Sequence, residues 1–227
     1  MKQHKTAILI FANSAEKEAA TKPFSSSKEI FEALNTQAIG IAKKSGLPYF
    51  LYSEKQQVGR TFGARFTNAI QSVYNKGFDA VITLGNDTPH LTTHHILKTV
   101  EKLNTHDIVL GPSTDGGFYI MGLKKSHFNV EAFLKLPWQT SKLNRSISRV
   151  EAKGKTHITY LEVLTDIDTI SDIRKIIHSF TKPSTSIIKL LIKLVQLVTS
   201  YVSNKHITIP AIYQNYHFNK GSPICLS

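Results

Sequence analysis

The stretch Ala80–Leu91, AVITLGNDTPHL, decides how this chain is read. Its residues Val81 to Leu84 are apolar or β-favouring and spell a short buried strand. The strand runs straight into Gly85, Asn86, Asp87, Thr88 and Pro89. Gly85 lets the backbone turn sharply and approach a ligand closely. Asp87 is thereby set at the carboxyl end of a buried strand, where open α/β sheets bind their ligands. A carboxylate in that place suits a divalent cation and, through it, the phosphates of a nucleotide. The alternative is that Asp87 caps the following helix, HHILKTVEKL. Thr92 or Thr93 can already serve as that cap, and capping leaves the conjunction of strand, Gly, Asp and Pro without a cause. The ligand-binding reading is therefore preferred.

Upstream, Thr6–Ala12 (TAILIFA) has the apolar run of a central parallel strand, with Asn13 and Ser14 as loop residues at its carboxyl end. Glu16 to Thr21 is polar and reads as a helical turn or a loop. Lys22 either points into the ligand crevice or is a solvated surface lysine. SKEIFEALNTQAIGIAKKSG, from Ser27, places Ile30, Leu34, Ala38 and Ile41 on one helical face, and Gly46 ends it. Pro48–Tyr52 is a second strand. A helix begins near Thr61 with Phe62, Phe66, Ile70, Val73 and Tyr74 toward the core, and Gly77 as stop. Arg60 and Arg65 lie at or near its start, where the helix dipole disfavours cations and favours anions. A bound phosphate would account for Arg65; a surface ion pair is the plainer reading for Arg60.

Downstream, Asp107–Gly111 is a strand that leads through Pro112, Ser113, Thr114, Asp115, Gly116 and Gly117 into the strand-like GFYIMGL. The two glycines after Asp115 fit a hairpin turn and equally a backbone running beside a ligand. A helix is expected over His127–Leu136, then a break at Leu136–Thr140 that contains Trp138, the one tryptophan. A Trp beside Pro is core, lid or sugar platform. SKLNRSISRVEAKG (141–154) reads as helix and HITYLEVL (157–164) as strand. Asp166, Ile167, Asp168 and Thr169 form a second acidic strand end, and Ser171–Phe180 a closing helix. Strands alternating with helices predict a layered α/β domain over residues 1–180.

Residues 181–227 form a tail. SIIKLLIKLVQLVTSYV has one narrow polar stripe, Lys189, Lys193, Gln196 and Ser200, and is apolar elsewhere. Such a helix must be covered. A homodimer interface or a place between the domain and the final segment is expected. Peripheral contact with anionic membrane through its lysines ranks second.

The 227 residues, 41% hydrophobic, suffice for one full-sized core. A formal charge of +12 favours anionic ligands, but the basic residues are scattered and specify no nucleic acid. A single cysteine, Cys225, allows no internal disulfide and fits a reducing compartment. No signal peptide or membrane span is read, so a cytoplasmic location is expected.

Taken as a set, LGNDTPHL, VLGPSTDGGFYIMGL, LPW and TDIDTISDI resemble the bacterial DUF2064 family, a branch of the GT-A nucleotide-diphospho-sugar transferase superfamily. The family pattern is roughly Gly-Ser-Asp-Cys-Pro-x-Leu, Gly-Pro-x-x-Asp-Gly-Gly-Tyr, Leu-Pro-Trp and Asp-Ile-Asp-Thr-x-x-Asp-Leu. It is matched by Gly85–Leu91, Gly111–Tyr119, Leu136–Trp138 and Asp166–Ile173. Phe62, Gly63 and Arg65 match the family's Leu-Gly-x-Arg helix start. The chain departs where relatives carry Lys-Thr-Arg-Leu, since Pro23, Phe24 and Ser25 follow Lys22. It also lacks the Gly-rich triphosphate loop of sugar-nucleotide pyrophosphorylases, and its Asp-x-Asp is reduced to Asn86-Asp87.

The resemblance implies a three-layer α/β/α GT-A fold with a mostly parallel central sheet. It implies a glycosyltransferase-like enzyme that moves a sugar from a nucleotide-sugar donor to an unknown acceptor. Asp87 and Asp168 would hold Mg²⁺ or Mn²⁺. Asn13, Ser14 and Lys22 would line the nucleotide side with Gly85, and Arg65 would touch phosphate. Asp115, Gly116, Gly117 and Tyr119 would face donor sugar or acceptor, with Asp115 as the one candidate base. Nucleotidyl transfer to a phosphorylated small molecule is an alternative, and a non-catalytic nucleotide-sugar-binding protein is another.

Overall fold

Val81 and Ile82 are fully buried, as a strand covered by helices on both faces must be. The strand they belong to is the middle of a layered structure. The computed structural model describes residues 4–22, 27–140, 142–143, 146–147 and 156–204. In chain order the elements are β1 (Thr6–Phe11), α1 (Ala15–Thr21), α2 (Ser27–Lys44), β2 (Tyr49–Tyr52), α3 (Phe62–Tyr74) and β3 (Ala80–Leu84). There follow α4 (Thr93–Leu103), β4 (Ile108–Pro112), β5 (Phe118–Lys124), α5 (Val130–Leu134), β6 (Ile158–Tyr160), α6 (Ile170–His178) and α7 (Thr185–Asn204).

The sheet order is β2-β1-β3-β5-β4-β6. β5 runs against both neighbours, and every other pairing is parallel. This is the expected mostly parallel sheet, with one strand turned back by the β4–β5 hairpin. Alternate side chains feed opposite layers. Ala7, Leu9, Val81, Leu110 and Met121 pack against α3 and α5 residues such as Phe66, Ile70 and Phe133. Ile8, Ile10, Ile82, Val109 and Ile120 pack against Ala38, Ile41 and Ile96 of α2 and α4.

A third apolar cluster joins Ile30, Phe31 and Leu34 of α2, Ile173 and Ile176 of α6, and Ile187, Leu191 and Leu194 of α7. The spacing of those last three residues puts them on one helical face. The tail helix is thus covered along one face by the body, while Ile192 and Leu197 stay exposed. The final segment, expected as one alternative cover for the other face, lies outside the described residues. Among the described residues no helix is long and apolar enough to cross a membrane.

Local departures from expectation have local causes. The helix anticipated over His127–Leu136 is a 3₁₀ turn, Lys125–His127, followed by the short α5. The Asn129 side chain accepts from Ala132 N at 2.9 Å and restarts the helix there. The strand anticipated over residues 157–164 is only three residues long, and Leu164 then makes a single bridge to Ser113. The helix expected over 141–154 lies mostly outside the described residues, although Leu143 and Ile147 are buried in the α3-side core.

Candidate functional site

Three chain segments end together at the carboxyl side of the sheet. Leu84 pairs with Ile10 across β1 and β3, which sets Asn13 beside Asn86 and Asp87. The Asn86 amide donates to Asn35 Oδ1 at 2.8 Å and to Asn13 O at 3.3 Å, tying the two strand ends together. The segment after β6 closes the group: Ile167 N donates to Asp87 O at 2.8 Å. Ile167 is fully buried in the α2–α6–α7 cluster, while Asp166 and Asp168 on either side of it line a cavity of about 560 Å³.

That cavity is strongly acidic. Among the described residues, Glu18, Asp87, Asp115, Asp166 and Asp168 line it, against Lys22 and Arg65 as cations. Asp87 is half-buried at its floor. Burial pushes its carboxyl up to about 8, Asp166 adds to the rise, and Lys22 opposes it. Asp166 is buried and raised to about 6, first by burial and further by Asp115 and Asp168. Hydrogen bonds limit that rise: Thr88 Oγ1 donates to Asp166, and Ser113 also lowers it. Glu18 is buried on α1 and accepts from Asn13 Nδ2 at 2.9 Å.

Lys22 is the counter-charge. Its Nζ donates to Ile167 O at 3.1 Å and pairs with Asp168. Burial alone would lower its pKa, but Asp168, Asp87 and Glu18 together raise it. The charged form is therefore the resident one.

On the hairpin side, Asp115 accepts from Ser113 Oγ and from Gly117 N, the latter at 2.8 Å. Gly116 has φ +95°, a conformation that costs a side-chain-bearing residue strain. The turn is a hairpin, and Asp115 and Gly117 border the cavity.

The remaining wall is aromatic. Phe11, Phe62, Phe66, Phe118 and Trp138 face the cavity. Trp138 packs edge-on against Phe66 with ring centroids 5.1 Å apart, and its Nε1 donates to Phe133 O at 2.7 Å. It is core and wall at once. A Cβ on Gly63 would stand 2.6 Å from Trp138 Cδ1, so glycine is what lets α3 start against the indole. Next to it, Gln139 lines the cavity with φ 57°, a backbone strain of the kind that collects at ligand sites. Arg65 Nε donates to Gln57 Oε1 at 3.3 Å, and both side chains border the cavity.

Of the residues singled out from the sequence, Asn13, Lys22, Arg65, Gly85, Asp87, Asp115, Gly117 and Asp168 line this one cavity. Ser14 and Tyr119 are placed elsewhere. Ser14 caps α1, its backbone N and Oγ donate to Glu54 at 2.8 and 2.9 Å, and it does not line the cavity. Tyr119 is buried on the α4 face of the sheet, donates to Glu162 O at 3.0 Å and packs on His95. Its alternation along β5 sends it away from the cavity, whereas Phe118 faces in. Gly116 serves by its conformation and is not itself lining.

Sequence reasoning passed over Asp166 and Glu18. Asp166 carried a usable signal, since it lies two residues from Asp168 and extended chain puts such pairs on one side. Glu18 carried none, being one of several acidic residues on a polar helix.

Among the described residues, no group of three or more His, Cys, Asp or Glu could hold a metal ion as it stands. The donor chemistry nevertheless suits Mg²⁺ or Mn²⁺, because such ions prefer carboxylate oxygen and are commonly held by one or two carboxylates completed by substrate phosphate and water. The cation already paired in the cluster is the Lys22 ammonium.

The family described as "Uncharacterized protein conserved in bacteria (DUF2064)" matches residues 41–140. That span takes in the blocks at Gly85–Leu91, Gly111–Tyr119 and Leu136–Trp138, and leaves the Asp166–Ile173 block outside it. Among solved structures, a candidate nucleotide-diphospho-sugar transferase from Desulfovibrio desulfuricans G20 is similar over 87% of this chain and 98% of its own, at 19% identity and TM-score 0.74. A 4-diphosphocytidyl-2C-methyl-D-erythritolsynthase from Anaerococcus prevotii DSM 20548 is similar over 87% and 100%, at 8% identity and TM-score 0.49. No curated protein matches the chain. The first of these likenesses establishes the fold. The resemblance to the DUF2064 family, read first from sequence blocks, is borne out over residues 41–140, on the fold of a candidate nucleotide-diphospho-sugar transferase.

Proposed function

We propose that this chain is a metal-dependent glycosyltransferase-like enzyme that passes a sugar from a nucleotide-sugar donor to an acceptor. The observation that carries the reading is the gathering of carboxyl groups around the cavity. A chain of formal charge +12 gathers five of its 16 acidic side chains around one cavity, against two basic side chains among the described residues. An acidic cavity repels a nucleoside diphosphate by itself and admits it together with a divalent cation.

Asp87 and Asp168 are the proposed ligands, with Asp166 beside them, fixed by Thr88 and carrying part of the negative field. A divalent cation bound there would supply charge stabilisation for the leaving diphosphate. Asn13 and Gly85 offer close backbone approach on the nucleotide side. Arg65, in the first turn of α3, would meet phosphate where the helix dipole also favours it. Asp115 is held by Ser113 and Gly117 N and faces the acceptor as the candidate base. Phe62, Phe66 and Trp138 offer flat apolar surface for a sugar or base ring.

A thermal-shift screen of nucleotides and nucleotide sugars, with and without Mn²⁺, tests this reading. A ligand that binds the native state raises its stability by mass action. The expected pattern is a shift for a nucleotide sugar that needs Mn²⁺ and is lost in Asp87→Asn. Release of a nucleoside diphosphate on turnover separates sugar transfer from nucleotidyl transfer, which would release pyrophosphate. Shifts independent of metal and of Asp87 would overturn the assignment.

A further inference from the structure

The cavity carries a cation of its own, and its position has a consequence for metal binding. Lys22 follows the last residue of α1, and only 17% of its side chain is exposed. Its ammonium is shared between Ile167 O, at 3.1 Å, and the Asp168 carboxylate. Asp87 and Glu18 add to the field that keeps it charged. Its Nζ also stands 5.8 Å from the centroid of the Phe31 ring.

These partners belong to the same carboxylate group proposed above for a divalent cation. An ammonium and a divalent ion held by one carboxylate repel each other across a few ångströms. Lysine is also a flexible-stemmed point charge, able to exchange one anion for another by side-chain rotation alone.

We infer that Lys22 is the built-in counter-ion of the metal-binding carboxylates and makes metal binding conditional on the nucleotide. Its ammonium must leave Asp168 before a divalent cation is held there. An arriving diphosphate supplies the anion that takes it. Metal and nucleotide then strengthen each other's binding reciprocally, with Lys22 carrying the coupling. This rests on the reading that Asp87 and Asp168 take the metal.

Mn²⁺ binding followed by loss of the free-ion electron paramagnetic resonance signal tests the inference without any turnover. With no phosphate compound present, Lys22→Met should hold Mn²⁺ at least ten-fold more tightly than the unaltered chain. Lys22→Arg, which keeps the charge, should stay close to the unaltered affinity. In thermal melts with inorganic pyrophosphate as the probe, the unaltered chain should need Mn²⁺ and pyrophosphate together for its full shift, whereas Lys22→Met should show most of it with Mn²⁺ alone.

Equal Mn²⁺ affinities in Lys22→Met and the unaltered chain, both abolished by Asp87→Asn, would refute the counter-ion role and leave the metal site standing. Absence of Mn²⁺ binding in every variant, with or without pyrophosphate and with circular dichroism unchanged, would remove the metal reading and this inference with it. If Lys22→Met fails to fold, Lys22→Gln answers the same question with a neutral, hydrogen-bonding side chain.

Discussion

Asp87→Asn should stabilise the ligand-free protein, and the gain should grow with pH. The carboxylate is half-buried, with Asp166, Asp168 and Glu18 around it and Lys22 as the opposing charge. Its pKa lies above the ordinary 3.8, at about 8. Between those values the folded state binds more protons than the unfolded one, so stability falls as pH rises through the window. Below it both states are protonated and the penalty vanishes. Each pH unit by which the native pKa exceeds the unfolded one costs ~1.4 kcal/mol at the alkaline end. Because Asp87 is partly exposed, solvent screening reduces this to a net cost of about 1–3 kcal/mol. Asparagine has the same shape and no charge, and the backbone bond from Ile167 N to Asp87 O is untouched. For a chain of this size the melting temperature should rise by roughly 2–12 °C near pH 8, converging with the unaltered chain near pH 4. Differential scanning calorimetry across that range reads it directly. A variant that melts lower than the unaltered chain at pH 8, or one whose difference does not depend on pH, would refute the reasoning.

Other perturbations test the supports of the site. Gly63→Ala should lower stability by about 1–3 kcal/mol and redden the fluorescence of Trp138, the only indole, because the new methyl must displace it. Gly116→Ala should lower the melting temperature by an amount corresponding to ~1 kcal/mol or more, since φ +95° is retained only under strain. Thr88→Val should cost about 1–3 kcal/mol at neutral pH by leaving the buried Asp166 carboxylate short of a donor, and less in acid where that carboxyl is protonated. Leu191→Ala, in the fully buried seam between α7 and α2, should cost about 2–5 kcal/mol in urea unfolding, and a loss below 1 kcal/mol would mean the tail helix is not part of the folded body.

Much of this molecule was legible where a residue's chemistry and its secondary-structure period agreed. Val81 to Leu84 announced a doubly covered strand, and Asp115-Gly116-Gly117 announced both hairpin and cavity rim. Asp87 was legible as an acidic strand end and Asp168 as an acidic position late in the chain, although β6 stops at Tyr160, and the Ile167–Asp87 backbone bond is what joins them. The misses arose where parity or partnership decided. The family resemblance implied Tyr119 as a contact to donor sugar or acceptor, but its place in the β5 alternation turns it to the face opposite the cavity. Ser14 looked free in sequence and is held by Glu54, which lies 40 residues on. Glu18 takes its meaning from charges brought close by the fold, and so does the pairing of Lys22 with Asp168, which no local pattern contains.

The most direct test of the central claim is the position of Mn²⁺ in a crystal grown with Mn²⁺ and the nucleotide sugar that gives the largest thermal shift, located by anomalous scattering. The expected result is a peak within roughly 2.0–2.3 Å of carboxylate oxygens of both Asp87 and Asp168, with the diphosphate completing the coordination. A nucleotide sugar bound in the cavity with no anomalous peak at Asp87 and Asp168, or with the peak elsewhere, would contradict it.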